Sequence, residues 1–328
     1  MLHIRWILVL AFMALVPVAQ GGTLSLSWDD DVFVGRDYGY TSGLRLAYVG
    51  DDDRGACASS TGLRCGTARL MARLPGMRDK PHQAGLLALK QIMMTPRDLR
   101  RADANFNDLP YVGYTSVEAS LFRWDDRELV GYGARLGIVG AGSGAGWLQR
   151  HVHRIAHDHA PAGWSNQLGQ DVTGGVFATW LRRTPERKLA HGRRLVVAYG
   201  GTINAGSWQS YARAQVFVRY GRNLAQNFIP DYRSNGNDAS LVGLTPGHGS
   251  GWDVFLGLEG RYNAYEDASH RSGPYHVGRR HVSGGAIAGA SWSFAHGPTV
   301  VFLLQHAASP LRKGGPRSFG TIGLIWRI

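Results

Sequence analysis

Beyond its first segment the chain holds no apolar run approaching the ~20 residues that a membrane-crossing helix needs. Instead it repeats segments of about ten residues in which apolar and polar side chains strictly alternate. In residues 211–220, Ala212, Ala214, Val216, Val218 and Tyr220 share one face, while Arg213, Gln215 and Arg219 fall on the other with Phe217. Leu44, Leu46 and Tyr48 oppose Arg45 and Ala47 in the same way, and Val254, Leu256 and Leu258 oppose Gly257, Glu259 and Arg261. A period of two belongs to a strand. Charges on the face opposite the apolar one mark a wall between lipid and a polar lumen, because a soluble sandwich keeps its inner face dry.

About twelve such segments follow from alternation and turn signals, near 23–31, 41–50, 85–94, 111–123, 130–140, 171–183, 193–204, 207–220, 252–263, 280–294, 298–307 and 318–328. The expected fold is therefore all-β, a transmembrane antiparallel barrel of about twelve strands, an even number as single-chain bacterial barrels require. The last segment places Ile322, Leu324, Trp326 and Ile328 on one apolar face. Its terminal Ile departs from the Phe common at that position. With the amino end in the periplasm, parity makes the connections 32–40, 95–110, 141–170, 205–206, 264–279 and 308–317 extracellular. The connections 51–84 and 221–251 become periplasmic and are long for that side.

The opening residues, Met1 to Arg5 and then an apolar run from Trp6 to Val18, read as a secretory signal peptide over 1–21, leaving 22–328 as one barrel domain. Export makes a local disulfide between Cys57 and Cys65 the expectation, rather than a metal or catalytic role. Forty-five glycines with ten tryptophans and 18% charged residues suit short strands and tight turns. The formal charge of +12 is spread without a polybasic tail. A diffuse basic surface on an exported chain without a nucleic-acid motif suits the phosphorylated lipid of an outer leaflet, not nucleic acid. Charge that merely keeps loops soluble is the plainer alternative.

Chemistry-bearing residues gather in the first three extracellular connections. Asp29, Asp30 and Asp31 close the first strand and suit a hard cation such as calcium, or form only a solvated acidic turn. In the third connection Gln149, His153 and His157 recur every four residues, so a short helix would set an amide and two imidazoles on one face. Such a histidine is suited to general-base work near neutral pH. Zinc on His153 and His157 competes with that reading, and exposed histidines without a role are the third. Ser143 sits between Gly142 and Gly144 with no nucleophile elbow around it, which leaves water as the nucleophile.

Several short motifs occur in order: Asp30-Asp31-Val32-Phe33, Asp37 with Tyr40-Thr41-Ser42-Gly43, Thr95-Pro96, Asp108-Leu109-Pro110-Tyr111-Val112-Gly113, Gln149 with His153, and Gly163-Trp164-Ser165-Asn166-Gln167. Together they resemble the lipid A 3′-O-deacylase family of outer-membrane enzymes, with matches over residues 24 to 220 and fit by pattern alone beyond. The resemblance implies a twelve-stranded barrel with its site at the outer end, between the wall and a helix from an extracellular loop. It further implies that His153 is the base acting on water, that Asp31 is the essential aspartate, and that calcium assists. Thr41 and Gln149 fall on motif positions. The family's Asn before the aspartate is Asp30 here, and its lysine in the second connection is Arg101, which keeps the charge but not a releasable proton. The partner so implied is lipid A in the outer membrane. A phospholipase barrel would need a Ser-His pair that the chain does not offer, and a catalytically silent barrel with a structural or adhesive role is the alternative.

Overall fold

The computed structural model describes residues 21–36, 38–51, 73–78, 80–157, 159–235, 238–244 and 250–328. The segment expected as a signal peptide, all but Gly21, and the expected Cys57–Cys65 disulfide lie outside them. Twelve long strands run antiparallel in chain order: β1 Gly22–Asp30, β2 Gly39–Gly50, β3 His82–Thr95, β4 Val112–Trp124, β5 Glu128–Val139, β6 Asp171–Arg183, β7 Arg193–Gly206, β8 Gln209–Arg222, β9 Gly251–Glu266, β10 Val282–Ser293, β11 Thr299–Ala307 and β12 Arg317–Arg327. Each pairs with the next, β1 pairs with β12 and β6 with β7, so the sheet closes and leaves no edge among these strands. Every segment expected from alternation is a strand, with ends shifted by no more than a few residues. No helix among the described residues is long and apolar enough to cross a membrane.

The alternation sorts the wall as its chemistry requires. Leu256 and Leu258 are 67% and 62% exposed on the outside, whereas Arg213, Arg219, Arg45 and Glu118 point inward and are buried. Twelve strands enclose more space than their own side chains fill, and the chain fills it from both ends. The connection between β8 and β9, expected as a long loop, turns back into the lumen. Phe228, Ile229, Tyr232 and Leu241 join Phe122, Phe217 and Phe255 of the wall in one apolar cluster. At the opposite end Trp208, Val277 and Leu311 of the loops pack on Tyr40, Tyr114 and Phe319.

The lumen also holds a belt of paired charges. Arg233 donates to Asp231 at 2.6 Å and to Glu259 at 3.1 Å; Arg219 Nε donates to Asp253 at 2.7 Å; Lys90 pairs with Glu118 at 3.2 Å. Tyr40 Oη and Thr321 Oγ1 donate to Asp29 at 2.7 and 2.8 Å, and Ser234 of the inserted segment donates to the same carboxylate. Buried charges persist when partnered in this way. Among the described residues the lumen is thus filled by side chains of the wall and of the connections.

Candidate functional site

Gly22 and Ile328 lie at one end of the barrel; the connections after β1, β3 and β5 lie at the other, which positions all the chemistry expected from sequence. The first of these starts as a 3-10 turn, Asp31–Val34, because Asp30 in extended backbone caps it, its Oδ1 accepting from Val32 N at 3.0 Å. Asp31 is buried at 1% exposure, and its Oδ2 accepts from Tyr38 N at 2.7 Å. Asp29 points into the lumen with Ser25 and Ser27, all three buried, so Asp30 takes the opposite, outer side of β1.

A bulge shapes the next strand. The β2–β3 register shifts between Tyr40 and Ser42, which makes Thr41 the extra residue. Bulges re-aim side chains, and here Thr41 Oγ1 lies 2.5 Å from Thr95 Oγ1, both buried. Beyond the bulge a single row of paired positions crosses the outside of the wall: Asp30 opposite Ser42, Ser42 opposite Met93, Met93 opposite Gly113.

Over the end of that row sits the helix α1, Ala145–Ile155. Gly113 admits it: a Cβ there would come within 2.3 Å of Ser143 Oγ and 2.6 Å of Ala145 Cβ. Gln91 Nε2 and Thr115 Oγ1, both on the outer face, donate to Ser143 O at 2.9 and 2.8 Å and fix the turn before the helix. The helix therefore lies outside the barrel, against β3 and β4, with Met93, Tyr111, Ala145 and Trp164 buried between. Its opposite side exposes Trp147 and Ile155 at 52% and 79%, an apolar face suited to a membrane interface.

Gln149 is 4% exposed on the wall side of α1 and accepts from Trp164 Nε1 at 2.7 Å. An indole N–H only donates, so the amide oxygen must face it and the amide nitrogen must face away. That nitrogen is buried and has no hydrogen-bond partner among the described residues. Gly146 makes the contact possible, since a Cβ there would approach the Trp164 ring to 2.8 Å. His153, one turn further, is half-buried, and its Nδ1 lies 2.9 Å from the carbonyl of His159. That contact orients the ring and leaves Nε2 on the side away from His159. The helix stops before His157, which takes a left-handed φ of 57°. The three-residue face expected from spacing thus shortens to Gln149 and His153, and the zinc reading loses its shared helical face.

Arg101 stands apart on the exposed second connection. It lines a small recess with Asp98, Asp103, Asn166 and Tyr275, and its carbonyl abuts Gly163 beside Trp164. Arg97 of the same connection stacks 4.8 Å from the Tyr38 ring, which ties this loop to the Asp31 segment. In sequence Trp164 and Thr95 are motif members without a task; their bonds to Gln149 and Thr41 supply one. Among the described residues no three His, Cys, Asp or Glu side chains converge on a metal position. Asp30, Asp31, Thr41 and Ser42 are all oxygen donors, the type a hard cation takes, and the balance of its six to eight ligands would come from carbonyls, water or substrate.

A closed barrel with an apolar belt outside, a filled polar lumen and a helix docked on its outer rim is an outer-membrane β-barrel. The family described as "Outer membrane protein LpxR" matches residues 6–328, and the chain belongs to it. Among solved structures, LpxR from Salmonella typhimurium superposes with a TM-score of 0.72 at 15% identity, covering 93% of this chain and 99% of that one, which shows the shared fold. The β domain of the Bordetella autotransporter BrkA follows with a TM-score of 0.45 at 11% identity, covering 94% and 99%. No curated protein matches the chain.

Proposed function

We propose that the protein is an esterase that hydrolyses the 3′-O-linked acyloxyacyl group of lipid A, working at the extracellular rim. One observation carries this reading: the buried amide of Gln149 and the imidazole of His153 lie outside the barrel wall, where an acyl ester of a membrane lipid arrives without leaving its leaflet. Family membership supports lipid A as the substrate. Exposed Arg97, Arg100, Arg101, Arg150 and Arg154 surround the same rim and suit the lipid's phosphates.

In this mechanism His153 Nε2 takes a proton from water as the water oxygen attacks the ester carbonyl. The Gln149 amide nitrogen, held by Trp164, donates to the oxygen as it becomes negative, where a preorganised donor in a dry site is worth most. Collapse breaks the bond between the carbonyl carbon and the sugar 3′ oxygen. The proton returns from His153 to that oxygen, leaving a sugar hydroxyl and a free carboxylic acid. Asp31, buried and fixed by Tyr38 N–H, holds the first connection in place. The oxygen set of Asp30, Asp31, Thr41 and Ser42 would hold calcium, which would supply positive charge to the developing oxyanion.

Hydrolysis of purified lipid A in 18O-labelled water tests the route. Label in the released acid, with none in the deacylated sugar, is expected. Label in the sugar, or an acyl-enzyme trapped on the protein, would overturn water attack at the carbonyl. A catalytically silent barrel is favoured by one observation, the isolation of Arg101 in its exposed recess; it predicts no release at all, and a gain on Arg101→Lys.

A further inference from the structure

A second recess lies on the outside of the wall, across the Asp31–Val34 turn from α1. It encloses about 700 Å³ and is floored by Ala286 and Ala288 of β10. Leu256, Leu258 and Leu304 flank it, exposed at 67%, 62% and 41%, so it opens to the hydrocarbon of the membrane. The floor is low because the neighbours are unequal in size. Leu256 pairs with Ala288 and Ala288 with Leu304, so two methyl groups lie between two ridges of leucine.

The recess is polar at one end only. Leu258 pairs with Ala286, Ala286 with His306, and His306 with Ser318, a row that passes from apolar to polar as it nears the rim. His306 Nδ1 lies 2.7 Å from Ser318 Oγ, and Arg36 Nη1 reaches the same hydroxyl at 3.5 Å. Arg36 follows the Asp31–Val34 turn and overhangs this end. Its other contact is the Tyr38 ring at 5.9 Å, and no carboxylate pairs with it among the described residues. Across the strands, from β8 to β12, the recess is four spacings of ~4.8 Å wide, roughly 19 Å, while its alanine floor runs along β10.

A trough open to lipid, with the Arg36 guanidinium over its polar end and no carboxylate on it among the described residues, suits an acyl chain attached to an anionic head. In hydrocarbon there is no water to expel, so selectivity for one chain comes from close packing and from the cation at the interface. We propose that this recess binds an acyl chain of a net-anionic, phosphate-bearing lipid, its phosphate held by Arg36 beside His306 and Ser318. The site does not rest on the hydrolytic reading, because it lies on different strands from α1 and its readout is binding.

Native mass spectrometry of the full-length protein, with equimolar phosphatidylglycerol and phosphatidylcholine of identical chains, tests it. The parent is expected to retain one phosphatidylglycerol in several-fold excess over phosphatidylcholine. Ala288→Trp, which fills the trough, abolishes that adduct, and Arg36→Gln equalises the two lipids. Heat-dependent gel mobility verifies the folded barrel in each variant, and Ala286→Leu serves if Ala288→Trp fails to fold. Equal retention of both lipids by the parent, or persistence of the adduct in the filled variant, overturns the proposal. Displacement by inorganic phosphate alone would also overturn it, reducing the site to an anion contact without a chain.

Discussion

Replacing Trp164 by Phe keeps a buried aromatic ring but removes the N–H that Gln149 Oε1 accepts at 2.7 Å. Both residues are nearly dry, at 2% and 4% exposure, so water does not replace the lost donor. An unsatisfied buried acceptor costs about 1–3 kcal/mol. The amide escapes that cost by rotating, which turns its nitrogen away from the direction Trp164 imposed. If the transition state bears the whole loss, kcat falls about 5- to 150-fold at 1.36 kcal/mol per tenfold. KM changes little, because the interaction forms with the oxyanion and not with the resting ester. The assay is steady-state release of the 3′ acyl product in detergent micelles, for Trp164→Phe, Gln149→Met and the double variant. Since the indole acts only through the amide, the double variant should be no slower than Gln149→Met alone. Losses that multiply would refute the reasoning, as would an unchanged kcat in Trp164→Phe. Heat-dependent gel mobility should be unaffected throughout, because α1 lies outside the closed wall.

Thr41→Val removes one member of a buried hydroxyl pair and strands Thr95 Oγ1, which should lower the stability of the micellar barrel by about 1–3 kcal/mol in urea unfolding. Arg219→Met leaves Asp253 buried beside a lost cation and should cost about 3–5 kcal/mol in the same assay, with much of it restored in Arg219→Met/Asp253→Leu. At the turn between β4 and β5, burial pushes the Asp125 carboxyl up, but hydrogen bonds from Lys80 and from the N–H groups of Arg127 and Glu128 outweigh it and hold it below the usual range. A lowered folded value gives stability that is full above the ordinary carboxylate pKa of ~3.9 and is lost as pH falls through the folded value. The difference in unfolding midpoint between the parent and Asp125→Asn should therefore be level from neutral pH to about 5 and vanish in stronger acid.

The strands were legible because lipid outside and charge inside impose a period of two that no other structure shares, as in residues 211–220. The inserted segment between β8 and β9 was not. Nothing local marks Asp231 and Arg233, which pair with each other, as lumen residues, since the other groups around them, Arg213, Glu259 and Gln305, stand on distant strands that come together only after closure. Helix α1 was visible in its four-residue spacing, but its end was not, because His157 leaves the helix through a left-handed backbone rather than at a Gly or Pro. The Thr41 bulge and the Trp164 bond to Gln149 depend on register and on a chain reversal, which local sequence does not encode. Strand parity alone placed Asp31, Thr41, Arg101, Gln149 and His153 at one end, whereas the row from Asp30 to Gly113 that runs beneath α1 depends on register.

The most direct test of the central claim is mass spectrometry of lipid A from cells producing this protein, beside cells producing His153→Ala at equal abundance. Loss of the 3′ acyloxyacyl mass with the parent and its full retention with the variant is the predicted result. Unchanged lipid A in both would contradict the catalytic account while leaving the barrel intact, and loss in both would remove His153 as the base.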